Sequence, residues 1–151
     1  MANVKPIPDG YHTLTPYLTL KGAAQAIDFY KKAFGAEEKM RMPGPGGMVM
    51  HAELRIGDSM LMLSEAAFDP PSQASLFLYV ADVDAAFQRA TAAGCTVNQA
   101  LSDQFWGDRF GKLVDPFGIR WAMATHKEDV PPAEMEKRAQ AFMAQMAAQK
   151  K

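Results

Sequence analysis

The chain has 151 residues, of which 48% are hydrophobic and 22% are charged, a balance that suits one globular domain. The formal net charge is −1 and no basic run exceeds two residues, so the charge pattern argues against nucleic-acid binding. No apolar stretch approaches the roughly 20 residues that cross a bilayer, which argues against a membrane protein. Because Cys95 is the only cysteine and the start MANVKPIPDG lacks an apolar signal segment, we expect a cytoplasmic protein.

The first part of the chain follows a strand, helix, strand pattern. Residues 15–20 alternate in polarity like a half-buried strand. Residues 23–34 place apolar side chains at helical spacing and are followed by Gly35, a typical C-cap glycine. Residues 37–42 are compatible with a second strand.

A β-hairpin is predicted next. The segment PGPGG at 43–47 reads as a loop, because prolines and glycines do not continue a strand ladder. Residues 51–56 and 59–64 then flank Gly57-Asp58, a two-residue turn with glycine first. This pattern predicts a type II′ hairpin.

The second half repeats the first at an interval of about sixty residues. LFLYVADVDAAFQRATAAG at 76–94 follows the plan of YLTLKGAAQAIDFYKKAFG at 17–35, with Asp82 before the helix. RFGKLVDPFGIRWAM at 109–123 predicts a second hairpin with its turn at 115–118. We therefore expect an α+β fold of two tandem β-α-β-β-β modules, with these parts: an arm at 1–11, a single domain at 12–126 with modules at about 12–66 and 73–126, and a C-terminal helix at 131–151.

The C-terminal segment has high helix propensity after Pro131-Pro132. Its apolar stripe consists of Met135, Ala139, Phe142, Met143 and Met146. The stripe predicts a helix that docks on the body of the protein or on a partner. The alternative is a frayed terminal tail.

Several motifs occur in the order found in one known superfamily. The helix end FYKKAFG, the hairpin MHAELRIGD and the late turn DPFG together resemble the vicinal-oxygen-chelate superfamily of glyoxalases, bleomycin-resistance proteins and extradiol dioxygenases, over residues 12–126. TPYLTL, MHAELRIGDSMLML and FWGDRFGKLVDPFGIRW are similar to its PhnB-like branch. The resemblance implies a cup-shaped, eight-stranded mixed sheet with outer helices, a homodimer, and a ligand site on the concave face.

Strand alternation assigns side chains to that face. Pairing across the first hairpin places Arg55 opposite Met60, Glu53 opposite Met62 and His51 opposite Ser64, all on one side, while the other side is aliphatic. The same alternation groups three further sets: Thr15, Tyr17 and Thr19; Ser75, Phe77 and Tyr79; Arg120, Ala122 and Ala124. Thioethers and rings with scattered polar groups predict a pocket for a small, partly apolar organic molecule.

The resemblance also implies where a divalent metal would be held, namely on the first, fourth, fifth and eighth strands. Those positions fall on Thr15, Met62, Ser75 and Ala122. A divalent site needs about three imidazole or carboxylate ligands, which these residues do not supply. We therefore predict no standard metal site and no cofactor.

His51 and Glu53 are the inward imidazole and carboxylate that alternation provides. As an acid–base pair they could move a proton, because the ordinary histidine pKa lies near neutrality. They are too few for a metal site, unless a third side chain joins them. The structural alternative is that they satisfy one another, or pair with Arg55 or Arg120, at the rim. His12 and His126 are expected outside the strands.

Trp106 and Arg109 lie in FWGDRFG, in the loop that the resemblance places over the pocket mouth. They could stack on and pair with an anionic ligand. Alternatively, Trp106 packs at a dimer seam and Arg109 pairs with Asp108 or Asp115. Cys95 is expected to be a buried, unreactive thiol.

Two functions remain open. The first is a binding protein of the bleomycin-resistance type, in a pocket that a homodimer completes. The second is a glyoxalase-like lyase or isomerase, or a dioxygenase-type enzyme, that uses His51 and Glu53. A methyltransferase, as some PhnB-like relatives are labelled, is disfavoured because no Gly-rich strand-to-helix turn is present. The predicted ligand-binding residues are Thr15, Tyr17, Met60, Met62, Ser64, Ser75, Phe77, Tyr79, Trp106, Arg109, Arg120 and Ala122.

Overall fold

A computed structural model of the protein describes residues 4–150, so the predictions for residues 1–3 and 151 lie outside the described residues. The elements follow the predicted order of two modules and a C-terminal helix. They are β1 (Tyr17–Leu20), α1 (Ala23–Phe34), β2 (Glu37–Pro43), β3 (Val49–Ile56), β4 (Ser59–Glu65), β5 (Ser75–Tyr79), α2 (Val83–Ala93), β6 (Thr96–Asp103), β7 (Asp108–Val114), β8 (Arg120–His126) and α3 (Pro132–Gln149). A single 3₁₀ turn at Pro45–Gly47 lies between β2 and β3.

The eight strands form two four-stranded mixed sheets, one for each module. The strand order is β1-β4-β3-β2 in the first sheet and β5-β8-β7-β6 in the second. In each sheet the first strand pairs in parallel with the last, and the other pairs are antiparallel. The predicted α+β fold of two β-α-β-β-β modules is therefore confirmed.

The first hairpin has the predicted register. Ile56 pairs with Ser59, and Glu53 pairs with Met62. Gly57 has a φ of +59° and no non-glycine residue among those described has a positive φ, which fits a type II′ turn and not the type I′ turn. The ladder of β3 with β4 ends one residue short of His51, whose ladder partner is Met42 on β2.

The first strand begins two residues later than predicted, at Tyr17. Pro16 has no N–H to give to a ladder, although its carbonyl still accepts the N–H of Met62. Thr15 lies before the strand, and its hydroxyl donates to the His12 carbonyl at 3.2 Å. The chain therefore turns before the sheet begins.

Each helix starts against the last strand of its own module. The N–H groups of Gly22 and Ala23 donate to the two carboxylate oxygens of Glu65, at the end of β4, at 2.8 and 2.9 Å. In the second module the N–H of Val83 donates to the Thr125 hydroxyl on β8 at 2.8 Å. Free N–H groups at a helix start need acceptors, and both modules supply one from the same place.

The helix α2 has a cap of its own in addition. Asp82 precedes the helix, and its carboxylate accepts the N–H of Ala85 at 3.0 Å. Gly22, at the corresponding position before α1, has no side chain to do this. The first helix therefore depends on Glu65 alone for side-chain capping.

The helix sides of the two modules pack against each other. Asp115, in the second hairpin turn and 4% exposed, accepts hydrogen bonds from Tyr30 Oη on α1 at 2.8 Å and from Trp121 Nε1 at 2.9 Å. It also accepts the backbone N–H groups of Phe117 and Ile119. Burial, followed by the Asp115 charge, raises the pKa of Tyr30 well above its usual range. The core thus lies between the modules, and the opposite side of each sheet faces outward.

The C-terminal helix docks on the body of the protein. Arg138 donates to both carboxylate oxygens of Glu128 at 2.9 Å, and the Phe142 and Phe105 rings lie 5.1 Å apart. No described residue of α3 is buried, and Met143 is 68% exposed, so the predicted stripe is only partly covered. Among the described residues, no helix is long and apolar enough to span a membrane.

Candidate functional site

Each sheet has one side that no helix covers. The side of the first module, called the first face, carries Tyr17, Thr19, His51, Glu53, Arg55, Met60, Met62 and Ser64. The side of the second module, called the second face, carries Ser75, Phe77, Tyr79, Phe110, Lys112, Arg120, Ala122 and Ala124. Strand alternation brings each group together, as predicted for the residues named in advance.

Four rings form a continuous aromatic wall on and beside the second face: Phe77, Tyr79, Phe110 and Trp106. The Phe77 ring lies 4.7 Å from Tyr79 and 5.6 Å from Phe110, and Phe110 lies 5.5 Å from Trp106. Phe77 on β5 can reach Phe110 on β7 because the strand between them, β8, carries only Ala122 and Ala124 there. Ala122 was predicted to line the pocket, and it instead lies buried beneath these rings.

A buried carboxylate holds this wall in place. Asp108 is 3% exposed, and its Oδ2 accepts hydrogen bonds from Tyr79 Oη and Trp106 Nε1, both at 3.0 Å. Its Oδ1 lies 2.7 Å from His126 Nδ1. Burial alone would raise the pKa of Asp108, but hydrogen bonds from His126, Tyr79 and Trp106 lower it overall. The hydrogen bonds to Asp108 and Asp129 raise the pKa of His126.

Sequence reasoning missed both members of this pair as site residues. His126 was expected outside the strands, and it is the last residue of β8. Asp108 was considered only as a partner of Arg109. A usable signal existed, because Asp108 shares strand parity with Phe110 in the segment DRFG.

The first face brings His51 and Glu53 together. His51 Nε2 lies 3.4 Å from Glu53 Oε1, and His51 Nδ1 lies 3.4 Å from Tyr17 Oη. Both contacts are longer than ordinary hydrogen bonds, so the imidazole is held loosely. The Tyr17 and His51 rings lie 5.6 Å apart. His51 is thus placed between a phenol and a carboxylate.

Tyr11 joins this group from the segment predicted to be an N-terminal arm. Its hydroxyl oxygen is buried and makes no hydrogen bond of ordinary geometry with a described residue. Burial, and then the neighbouring Glu53 carboxylate, raise the pKa of Tyr11 to about 12. No periodicity marks Tyr11, which precedes the first strand, so the sequence carried no signal for its role.

The residues at the superfamily's metal positions do not fit a divalent ion. The Thr15 hydroxyl is turned towards the His12 carbonyl, Met62 offers a thioether, and Ala122 has no donor atom. Across residues 4–150, no three His, Cys, Asp or Glu side chains are grouped as a metal site. The absence of a divalent metal from the protein stays a prediction.

A pocket of about 360 Å³ lies at the seam between the modules. Three predicted residues, Thr15, Met60 and Phe77, line it, together with His12. The remaining lining residues are Leu14, Pro16, Ile56, Ser59, Leu61, Leu76, Leu78 and Trp121. Tyr17 and Ser64 line a separate pocket of about 160 Å³. The seam pocket is largely apolar and continuous with the aromatic wall through Phe77.

Other predicted residues lie away from these groups. Arg109 donates from Nε and Nη2 to the two oxygens of Asp84 at 2.7 Å, so its guanidinium is engaged by α2 and not by Asp108 or Asp115. Ser75 and Arg120 are ladder partners at the far end of the second face. Cys95 is buried, and burial followed by the Asp115 charge raises the pKa of its thiol to about 12. A thiol held protonated is a poor nucleophile.

Comparison with known proteins identifies the family. Residues 12–123 match the model of the Glyoxalase/Bleomycin resistance protein/Dioxygenase superfamily. An uncharacterised protein of Mycobacterium tuberculosis H37Rv is 44% identical over 135 residues, which cover 82% of this chain and 79% of the relative.

Solved structures share the fold. TioX from Micromonospora sp. ML1 has a TM-score of 0.68 and 28% identity, covering 76% of this chain and 98% of TioX. The PhnB protein from Bacillus cereus has a TM-score of 0.63 and 20% identity, covering 76% of this chain and 99% of PhnB. The match of residues 12–123 to the family model, with which the two-module fold agrees, shows that the chain belongs to the Glyoxalase/Bleomycin resistance protein/Dioxygenase superfamily.

Proposed function

We propose that this protein binds a small, partly apolar organic molecule against the aromatic wall, without the standard divalent metal site of the superfamily. The observation that carries the proposal is the exposure of the wall, where Phe77 is 50% and Tyr79 is 62% exposed. Rings that served only to fill a core would be buried, and contiguous exposed apolar surface marks interaction sites. A cytoplasmic location is part of the proposal.

The wall is organised before any ligand arrives. Asp108 fixes Tyr79 and Trp106 through hydrogen bonds from their polar atoms, and this leaves the ring planes available for contact. Rigid rings lose little conformational entropy when a ligand stacks on them, which favours binding. The adjoining seam pocket of about 360 Å³ is within the size range of small-molecule sites.

The proposal includes a homodimer. In a single chain both faces are directed outward, because the helix sides of the modules are occupied by each other. Besides the wall, Tyr17, Met40 and Met42 are exposed on or beside the first face. A second copy that covers a face would turn an open wall into a cleft and bury this apolar surface.

The test is a thermal-shift screen of a library of aromatic organic compounds, with and without a chelator. We expect some compounds to raise the melting temperature, with the same shift in the chelator. Phe77→Ala should abolish the shift, whereas Phe68→Ala, which removes an exposed ring outside the wall, should preserve it. Ligand shifts that survive Phe77→Ala would contradict the placement of the site, and sedimentation showing only monomers would contradict the dimer.

A second function, acid–base catalysis, is favoured by one observation. His51 lies between Tyr17 and Glu53, with the Tyr11 hydroxyl beside the same carboxylate. Such a group can take up and return a proton. If a compound from the screen is converted by the wild-type protein, His51→Ala should stop conversion while binding persists. One equivalent of bound divalent metal, with activity lost on chelation, would favour the enzyme over the binding protein.

A further inference from the structure

The second face carries a cation on its aromatic wall. Lys112 Nζ lies 5.7 Å from the centroid of the Phe110 ring, a distance at which an ammonium group and a ring attract each other. Lys112 shares strand parity with Phe110, and its ladder partner is Ala122 beneath the rings. The ammonium group is therefore part of the wall's surface and not of the helix side.

No carboxylate neutralises this charge within residues 4–150. Lys112 and Arg120, the two fixed cations of the second face, form no ion pair there. The acid nearest the wall, Asp108, is buried and already accepts three hydrogen bonds. Other cations differ, since Arg109 is paired with Asp84 and Arg138 with Glu128.

The corresponding position of the first module carries the opposite charge. Lys112 pairs with Ala122 on β8, as Glu53 pairs with Met62 on β4. The repeated ladder thus places an ammonium group on the second face where the first face has a carboxylate. At this position of the repeat, an anion is therefore favoured on the second face over the first.

We propose that the ligand of the aromatic wall is a flat, conjugated molecule that carries a negative charge. Its ring system stacks on Phe77 and Tyr79, and its anionic group meets Lys112, with Arg120 at the far end of the same face. This inference rests on the proposed binding function and narrows its ligand class. Flat cations fit poorly, because Lys112 repels them and the Asp108 carboxylate is buried.

The test compares two compounds that differ only in charge, naphthalene-2-carboxylate and naphthalene-2-carboxamide, by isothermal titration calorimetry on the intact protein. We expect the carboxylate to bind about fivefold more tightly, the size expected for one partly exposed ion pair. Lys112→Met should remove this preference and leave carboxamide binding within about twofold. Lys112→Arg should retain the preference, and higher salt should narrow it.

Lys32→Met is the matched control, because Lys32 is an exposed lysine on the outer helix α1. It should leave both affinities unchanged. Equal binding of the two compounds, unaffected by Lys112→Met, would overturn the anionic class and leave the binding function standing. If neither compound binds, the wall is not an aromatic ligand site, and the proposed function is contradicted as well.

Discussion

The two modules share one geometry and differ in chemistry. On the first face the Tyr17 and His51 rings lie 5.6 Å apart at 33°, and on the second face the Phe77 and Phe110 rings lie 5.6 Å apart at 27°. In both modules the two rings lie on the strands on either side of one strand, which is β4 in the first sheet and β8 in the second. The repeat has preserved a ring pair across β4 or β8 while the side chains around it have changed.

The changed side chains give the faces different chemical properties. Beneath the ring pairs, Met62 of the first face corresponds to Ala122 of the second. Beside them, Glu53 corresponds to Lys112. The first face therefore carries a cluster of polar side chains, whereas the second face is an aromatic wall with a cation. Position in the repeat sets where a side chain points, and residue type sets what it can bind.

The largest expected effect concerns the hairpin turns, because Asp115 in the second turn is buried and Asp58 in the first turn is exposed. Asp115→Ala should lower the free energy of unfolding by about 4 kcal/mol, because Tyr30 Oη, Trp121 Nε1 and two backbone N–H groups lose their buried acceptor. Asp58→Ala, in the exposed first turn, should cost less than about 0.5 kcal/mol. Urea unfolding measures both, and similar costs for the two turns would contradict the assigned role of Asp115.

The helix caps test whether corresponding contacts in the two modules contribute equally to the free energy of unfolding. Glu65→Ala should cost about 2 kcal/mol, since α1 loses acceptors for the N–H groups of Gly22 and Ala23. Thr125→Val should cost about 1 kcal/mol, because Asp82 still caps α2. The same urea measurement applies. A larger cost for Thr125→Val than for Glu65→Ala would contradict the inference that α1 depends more than α2 on one capping side chain.

Exchanging Met62 and Ala122 tests directly whether these side chains make the two faces different. Ala122→Met gives the second face the residue of the first, and it should cost about 2 kcal/mol, because Phe77 and Phe110 pack over a buried alanine. It should also weaken ligand binding to the wall. The reciprocal Met62→Ala removes a half-buried side chain and should leave that binding unchanged. Retention of wall binding by Ala122→Met would show that the ring pair is not the binding element.

The fold was predictable because its signals are local and repeated. Alternation in 51–56 and 59–64, the turn at Gly57 and the second copy of the pattern each determine backbone geometry over a few residues. The same alternation placed His51 with Glu53 and Phe77 with Tyr79. These predictions required only that neighbouring strands pair in register.

The parts that were missed depend on contacts between distant segments. Tyr11 reaches Glu53 from a stretch without periodicity, and Arg109 donates to Asp84 on α2, a residue 25 positions earlier in the chain. Asp108 was overlooked because its strand parity with Phe110 places it on the second face but does not show that Tyr79 and His126 converge on it. Such convergence is a property of tertiary packing, which one sequence does not display.

The smallest expected effect is the pH dependence of the stability that His126 and Asp108 contribute on the second face. His126 on the second face has a pKa raised by Asp108 and then Asp129, so its stabilising contribution is complete below the usual histidine pKa and is lost as pH rises through the raised value. Asp108 has a lowered pKa, so its stabilising contribution is present above the usual aspartate pKa and is lost as pH falls through the lowered value. The pair is therefore strongest between about pH 4 and pH 6.

His126→Gln should accordingly destabilise the protein more at about pH 6 than at about pH 9, as measured by urea unfolding at both values. His12→Gln serves as the control, because the His12 side chain is exposed and forms no hydrogen bond with a described residue. Its effect should be small and the same at both pH values. If His126→Gln costs the same at both, the bond to Asp108 does not hold the imidazolium, and Tyr79 and Trp106 alone keep that carboxylate in place.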